Sequence, residues 1–314
     1  MPRRKPIASL SLDLDNKWSY LKTRGDSRWQ SFPTYLDVVV PRVLDFLKQR
    51  GMTITVFVVG QDAALQVNYQ PLQSIAEAGH EIGNHSFHHE PWLHRYSQEE
   101  LDADLSAAEM HIERVTGQRP VGFRGPGFSF SEAVLQTLAD RGYRYDASTL
   151  PTFLGPLARA YYFRTARLTS EEKEQRKELF GSFAEGLRPL KPYLVRPEDG
   201  QLLEIPVTTM PIFRIPIHLS YLLYLAGYSR LAAHCYFRTA LSLCRVTRVE
   251  PSFLLHPLDF LGGDDDGDLA FFPAMKMSGQ RKRALAAEFI ELLARRFTIV
   301  TMREHARLAS ENVL

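Results

Sequence analysis

Gly83-Asn84-His85-Ser86-Phe87-His88-His89 places two imidazoles four residues apart at the end of an apolar run. Histidines so spaced reach one metal ion from one side, and neutral imidazole suits zinc and its first-row neighbours. His88 is an alternative partner for His85 through a different turn. A third donor is available near the N-terminus. Ile7 to Asp15 alternates, with Leu10, Leu12 and Leu14 on one face and Ser9, Ser11, Asp13 and Asp15 on the other, as a strand does. Burying a lone carboxylate at the edge of a core is costly, so two of them at a strand end point to a site. Asp15, His85 and His89 as ligands describe a hydrolytic metal centre with positions left for water. In such a centre the metal lowers the pKa of water and polarises a carbonyl. Asp13 is then the candidate general base, with Arg124 holding it ionised. His256 is the candidate proton donor to a leaving amine, and Asp146 the residue that orients it. Backbone N–H groups of Gly125 to Phe128 are candidate donors to an oxyanion. His80, inside a strand, reads as a satisfied core histidine.

These residues need a scaffold that gathers strand ends. Thr53 to Val59 is β-branched and apolar, like a strand buried on both faces of a parallel sheet. His80–His85, Val121–Gly127, Tyr143–Ser148, Leu202–Val207, Ser252–Pro257 and Phe297–Met302 read as further strands. Helical periodicity covers Thr34–Arg50, Pro71–Ala78, Glu132–Asp140, Lys282–Arg296 and Arg303–Ala309. Ser97-Gln98-Glu99-Glu100 is a capping box that opens a helix running to Gly117. Lys17–Pro33 reads as a surface loop. Alternating strands and helices imply a parallel sheet with right-handed crossovers. Seven or eight units favour a closed or nearly closed α/β barrel, with its chemistry at the C-terminal strand ends. Asp13, Asp15, His85, His89, Arg124, Asp146 and His256 all fall at such ends. Two segments exceed what a barrel needs. Residues 149–200 read as an insertion with a helix at Ser170–Phe180, placed before the sixth strand. Residues 216–247 are apolar and helical, carry Tyr221, Tyr224, Tyr228 and Tyr236, and suit either the outside of the barrel or a membrane surface.

The 314 residues are read as a single domain, and 45% hydrophobic and 24% charged content is ordinary for a globular chain. A net charge of +2 gives no basic face for nucleic acid. Asp13 and Asp15 interrupt the first apolar run as no secretory leader would be interrupted, and no stretch is long enough to span a bilayer. Cys235 and Cys244 point to nearly opposite sides of a helix and read as reduced core cysteines. Together these predict a cytoplasmic protein, with contact at the inner face of the membrane or homo-oligomerisation as further expectations. Asp264-Asp265-Asp266-Gly267-Asp268 lacks the spaced ligands of an EF-hand and reads as a solvated turn.

The motifs resemble those of the polysaccharide deacetylases of the NodB homology type, carbohydrate esterase family four. Ser11-Leu12-Asp13-Leu14-Asp15-Asn16 is similar to a first motif in which one residue separates base and ligand. His85-Ser86-Phe87-His88-His89 is similar to the second, Arg124-Gly125-Pro126-Gly127-Phe128 to the third and Leu254-Leu255-His256 to the fifth; Asp146 stands for the fourth. The resemblance covers about residues 7–148 and 202–302. It implies a distorted TIM-like (β/α)7 barrel, Asp13 as base, and Asp15, His85 and His89, over His88, as ligands of a divalent metal such as zinc. It implies hydrolysis of an N-acetyl or N-formyl group on an amino sugar, either a polysaccharide precursor or a lipid-linked sugar. The alternatives are an amidohydrolase acting on a small non-sugar C–N substrate and a carbohydrate-binding barrel without catalysis.

Overall fold

The computed structural model describes residues 5–166, 168–175, 181–198 and 200–313. Among them are nine strands: β1 (Ile7–Asp13), β2 (Thr55–Val58), β3 (Glu81–Asn84), β4 (Gly122–Phe123), β5 (Tyr145–Asp146), β6 (Tyr193–Val195), β7 (Leu202–Glu204), β8 (Ser252–Leu255) and β9 (Thr298–Val300). They form one curled sheet in the order β6-β7-β5-β4-β3-β2-β1-β8, with β9 also on β1. Every pairing from β8 round to β7 is parallel, and β6 alone runs antiparallel, at the edge beside β7. The chain just past β7 turns back to β8, where Thr208 N donates to Ser252 O at 3.0 Å. The architecture is therefore the expected α/β barrel of seven parallel strands, nearly closed.

β1 is the hub. Leu10 and Leu12 pack into the outer core with Val39, Val43, Val56 and Ile82, while Ser11 and Asp13 point to the interior. The interior is lined by Phe57, Tyr145, Leu203 and Ile205, and Met302, Ala306 and Ala309 of helix Met302–Val313 pack onto them. Met302 N donates to Thr55 Oγ1 at 2.7 Å and Arg303 N to Glu81 Oε2 at 2.9 Å, tying the start of that helix to β2 and β3.

Most helices form where periodicity and caps place them. Gln98–Thr116 starts on the Ser97–Glu100 capping box and ends at left-handed Gly117. Glu132–Asp140 has its expected bounds, and Leu36–Lys48 falls within Thr34–Arg50. The stretch expected as a loop at 17–33 is instead a helix, Lys17–Arg24, followed by a 3-10 turn, Ser27–Ser31. Asn16 caps the helix, left-handed Gly25 ends it, and Trp18, Tyr20 and Leu21 are buried by it. Its mixed polarity hid this, because too few turns exist to display a period.

Residues 149–200 are not without strands. They contain helices Gly155–Thr165 and Ser170–Gln175 and a 3-10 turn before β6, so the strand at 202–204 is seventh in chain order rather than sixth. β6 is a half-buried edge strand of three residues after Pro192, too short to show alternation. The expected helix end at 176–180 lies outside the described residues. The 216–247 segment splits into helices Leu219–Tyr228 and Arg230–Thr247. Leu219, Leu222, Leu223, Phe237, Leu241 and Cys244 face the core, so the main apolar face covers the barrel. Cys235 is exposed, a departure from the expected pair of core cysteines, and both thiols are free. In the acidic loop Asp265 pairs with Arg42, and Lys17 with Asp266 and Asp268, so it is a charge-paired turn.

Gly122 on β4 lets the Tyr145 ring cross it, since an added Cβ would lie 1.9 Å from Tyr145 Cζ. Tyr145 Oη in turn donates to buried Glu81 at 2.9 Å. Gly122→Ala is expected to lower stability by about 2 kcal/mol or more through overpacking. Urea unfolding monitored by tryptophan fluorescence measures it.

Candidate active site

The site is assembled at the C-terminal ends of β1, β3, β4 and β8. Asp15 follows β1, and one of its oxygens, Oδ1, lies 2.9 Å from His89 Nε2 and 3.4 Å from His85 Nε2. Ligand atoms of all three residues fall within 4.8 Å of one another. The His85 ring is buried and its Nδ1 lies 2.6 Å from the Arg124 carbonyl oxygen, which can only accept. Nδ1 therefore carries the proton and Nε2 presents its lone pair to the cluster. Asp15 and His89 keep 13% and 11% of their side-chain surface open, which leaves the cluster accessible from the rim. Burial opposes ionisation of Asp15, but the two imidazoles outweigh it and hold its carboxyl well below the usual range. Burial likewise opposes a charged His85, and the carboxylates of Asp15 and Asp13 outweigh it to raise the imidazole. One carboxylate and two imidazoles with a fixed tautomer suit a divalent first-row metal.

Local chemistry explains why His89 joins and His88 does not. Ser86 and His89 both adopt left-handed backbone, with φ of 61° and 53°. Ser86 Oγ accepts from His89 N at 3.1 Å. Asp104, on helix Gln98–Thr116, accepts from Phe87 N at 2.8 Å and His88 N at 3.2 Å. The tight turn swings His89 back over Asp15 and leaves His88 exposed, stacked edge-on against Phe87. Trp18 packs edge-on against His89 and donates its indole N–H to Asp62 at 2.9 Å.

Asp13 and Arg124 meet inside the barrel. Arg124 has no exposed surface and Asp13 keeps 4%. Arg124 Nη1 donates to Asp13 Oδ1 at 2.9 Å and to Ser11 Oγ at 3.1 Å, and its Nε donates to Ala147 O at 2.9 Å. The guanidinium lies 4.6 Å from the centroid of the Phe57 ring. His256 follows β8, one position beyond the Leu12–Leu255 pair, so it emerges beside Asp13.

Asp146 does not orient His256 as expected. Its carboxyl is bonded by Ser148 and faces Glu204, while His256 Nδ1 lies 3.1 Å from Ser220 Oγ. The carboxylate next to His256 is Asp259, whose Oδ2 accepts from the His256 backbone N at 2.8 Å. His218 packs 6.0 Å from His256, and burial with that neighbour pushes it down to about 3, so it stays neutral. Ser220, Asp259, Asp104 and Ser11 were not singled out in the sequence. Asp259 carries a faint signal, an acid three residues after His256 across a proline, as a capping turn has. Ser11 shares the strand face of Asp13 by alternation, while Ser220 and Asp104 have no signal, because only folding brings them near.

Removal of one partner of the buried Asp13–Arg124 pair leaves the other charge uncompensated. Arg124→Met and Asp13→Asn are each expected to cost about 3 kcal/mol. The double variant is expected to cost less than their sum by about 1 kcal/mol or more. A urea-unfolding double-mutant cycle decides it.

Known proteins are similar to part of this chain in sequence and to all of it in fold. Residues 22–145 match the family model described as polysaccharide deacetylase. That segment includes His85, His89 and Arg124, and Asp13 and Asp15 precede it. A peptidoglycan deacetylase of Helicobacter pylori is 30% identical over 128 residues, 41% of each chain. A peptidoglycan-N-acetylmuramic acid deacetylase of Bacillus subtilis is 34% identical over 111 residues, 35% of this chain and 41% of its own. The alignments thus span less than half the length of these curated relatives. A crystal structure of a Mycobacterium smegmatis protein assigned to the polysaccharide deacetylases superposes over 100% of this chain and 94% of its own, with a TM-score of 0.62 and 19% identity, and shows the same fold. Over residues 22–145, and in the motifs that segment carries, the chain is thus similar to the polysaccharide deacetylases.

Proposed function

We propose that this protein is a metal-dependent hydrolase that removes an N-acyl group, acetyl or formyl, from an amino sugar. The observation that carries the reading is the convergence of Asp15, His85 and His89 on one point beside the buried Asp13–Arg124 pair. Asp15, His85 and His89 would hold a divalent ion, zinc being the best match to these donors, which would supply Lewis-acid polarisation of the acyl carbonyl and acidify water. The chain's own groups do the rest. Asp13, bonded through one oxygen to Arg124, accepts a proton at its free oxygen from the attacking water. His256, held at Nδ1 by Ser220 with Asp259 behind it, delivers a proton from Nε2 to the departing amine. The neutral His218 beside it adds no competing charge.

Curated relatives act on peptidoglycan by name, so a polymer or precursor of amino sugars is the first substrate class to test. A lipid-linked sugar is the finer reading. It is supported by Phe153, Leu157, Phe183, Leu187, Ile212 and Phe213, all exposed on segments that leave the C-terminal ends of β5 and β7. Among the described residues no helix is long and apolar enough to cross a membrane. Two free thiols suit a reducing compartment such as the cytoplasm.

Metal analysis of the purified protein is expected to find about one divalent ion per chain. Asp15→Ala and His85→Ala should lose it and His88→Ala should keep it. A metal-free wild type would favour a carbohydrate-binding barrel. Assays for released acetate or formate from soluble and lipid-linked amino sugars identify the substrate. On that substrate Asp13→Asn is expected to retain metal and lose activity by about 10²-fold or more. Unchanged turnover in that variant would remove Asp13 as the base.

A further inference from the structure

At the ends of β5 and β7, Asp146 and Glu204 are paired in register, and neither has exposed surface. Their oxygens divide into two sets. Asp146 Oδ1 accepts from Ser148 Oγ, and Glu204 Oε1 accepts from Thr149 N at 3.0 Å and from Thr149 Oγ1. The other two, Asp146 Oδ2 and Glu204 Oε2, are buried and reached by no N–H or O–H of the described residues. The two carboxyls face each other across the paired strand ends. Two adjacent carboxylates with bare buried oxygens repel, and each lacks the partner that burial demands. One proton between the bare oxygens satisfies both at once.

We propose that Asp146 and Glu204 share one proton, carried by Glu204 and donated to Asp146, and that this pair is a positioning device for Arg124. Burial and the neighbouring Asp146 charge push Glu204 well above the usual carboxyl range, in agreement with the geometry. The pair grips both sides of the turn at 147–149. Ser148, bonded to Asp146, accepts from Gly125 N at 2.7 Å. Ala147 O, between Asp146 and Ser148, receives Arg124 Nε at 2.9 Å. Thr149 is fixed by Glu204 through two bonds. Arg124 and Gly125 are thus anchored to a turn that the protonated pair holds. The neighbouring elements present Tyr193 of β6, opposite Glu204, with Arg188 beside it, and Arg124 itself. Burial pushes the Tyr193 phenol up to about 12, so Tyr193 is neutral. None of these cations forms an ion pair with either carboxyl among the described residues.

The consequence for catalysis rests on the deacetylase reading, but the test does not require activity. Infrared spectra of the full chain, with glutamate side-chain carboxyls labelled with ¹³C, are recorded in D₂O at pD 8. The wild type is expected to show a protonated glutamate carboxyl band that Glu204→Gln abolishes. Its absence from the wild type, or its persistence in Glu204→Gln, overturns the shared proton. In ¹⁵N-arginine spectra the Arg124 Nε–H resonance, assigned through Arg124→Lys, is expected to shift in Glu204→Ala. It should return to its wild-type position in Glu204→Gln, whose amide N–H can replace the proton. A resonance unmoved by Glu204→Ala, or moved equally by both substitutions, overturns the positioning role. Metal binding and turnover, measured separately, report on the functional reading alone.

Discussion

The buried contact between Arg124 and Asp13 is the constraint on which the rest of the site depends. A guanidinium without solvent must have its charge and its N–H groups met by protein, or its desolvation goes uncompensated. Asp13, Ser11 and the Ala147 carbonyl meet most of that demand, and the Phe57 ring lies against the cation. Arg124 also acts through its backbone, because its carbonyl oxygen fixes the tautomer of His85. One residue of β4's end therefore bonds the candidate base on β1 and sets the donor atom of a candidate ligand on β3. Lysine could not replace it, since a single ammonium lacks the planar fork that reaches Asp13 and Ala147 together.

The histidine turn depends on the scaffold in another way. Left-handed backbone at Ser86 and His89 is unfavourable for residues with a Cβ and persists only where surroundings impose it. Here they do. Gly60 N and Gln61 N donate to the carbonyls of Ser86 and Phe87, and Asp104 accepts from Phe87 and His88. Gly60 is required for that approach, since a Cβ there would lie 2.7 Å from both Ala108 Cα and the Phe87 ring. Packing of helix Gln98–Thr116 and the position of His89 are thus one problem, and loosening the helix loosens the candidate ligand.

What could be read from the sequence follows from this division. The parallel strands, the helices with caps, and Asp13, Asp15, His85, His89 and Arg124 announce themselves through local pattern or short spacing. The structure brings all five together. The helix at 17–24 and strand β6 were hidden because two turns, or three edge residues, carry too little periodicity. Asp104, Ser220 and Glu204 were hidden for a different reason. Each acts across a long gap in sequence, and nothing near it marks it as unusual. Asp146 shows the limit most clearly. Its position at a strand end was legible, but its partner depends on which carboxyl or imidazole the neighbouring strand end delivers. That partner is Glu204, while His256 finds Ser220 and Asp259.

The barrel thereby holds its buried carboxyls in different ways at different points of the rim. Asp13 is matched with the Arg124 guanidinium, a permanent cation. A carboxylate that must take up a proton needs that treatment, because a neutral acid is no base. Among the described residues Asp146 and Glu204 pair with no cation and face each other, a setting in which one of two carboxyls stays protonated. A carboxyl pair so protonated accepts from Ser148 and Thr149 and acts as a clamp on the turn between them. Exchanging the two arrangements would fail on both counts. A cation at β7 would ionise Glu204 and remove the proton that joins β5 to β7, and a carboxylic acid beside Asp13 would leave it competing for a proton before water arrived. The order of charges around the strand ends is therefore part of what separates a working site from a barrel that merely has the right fold.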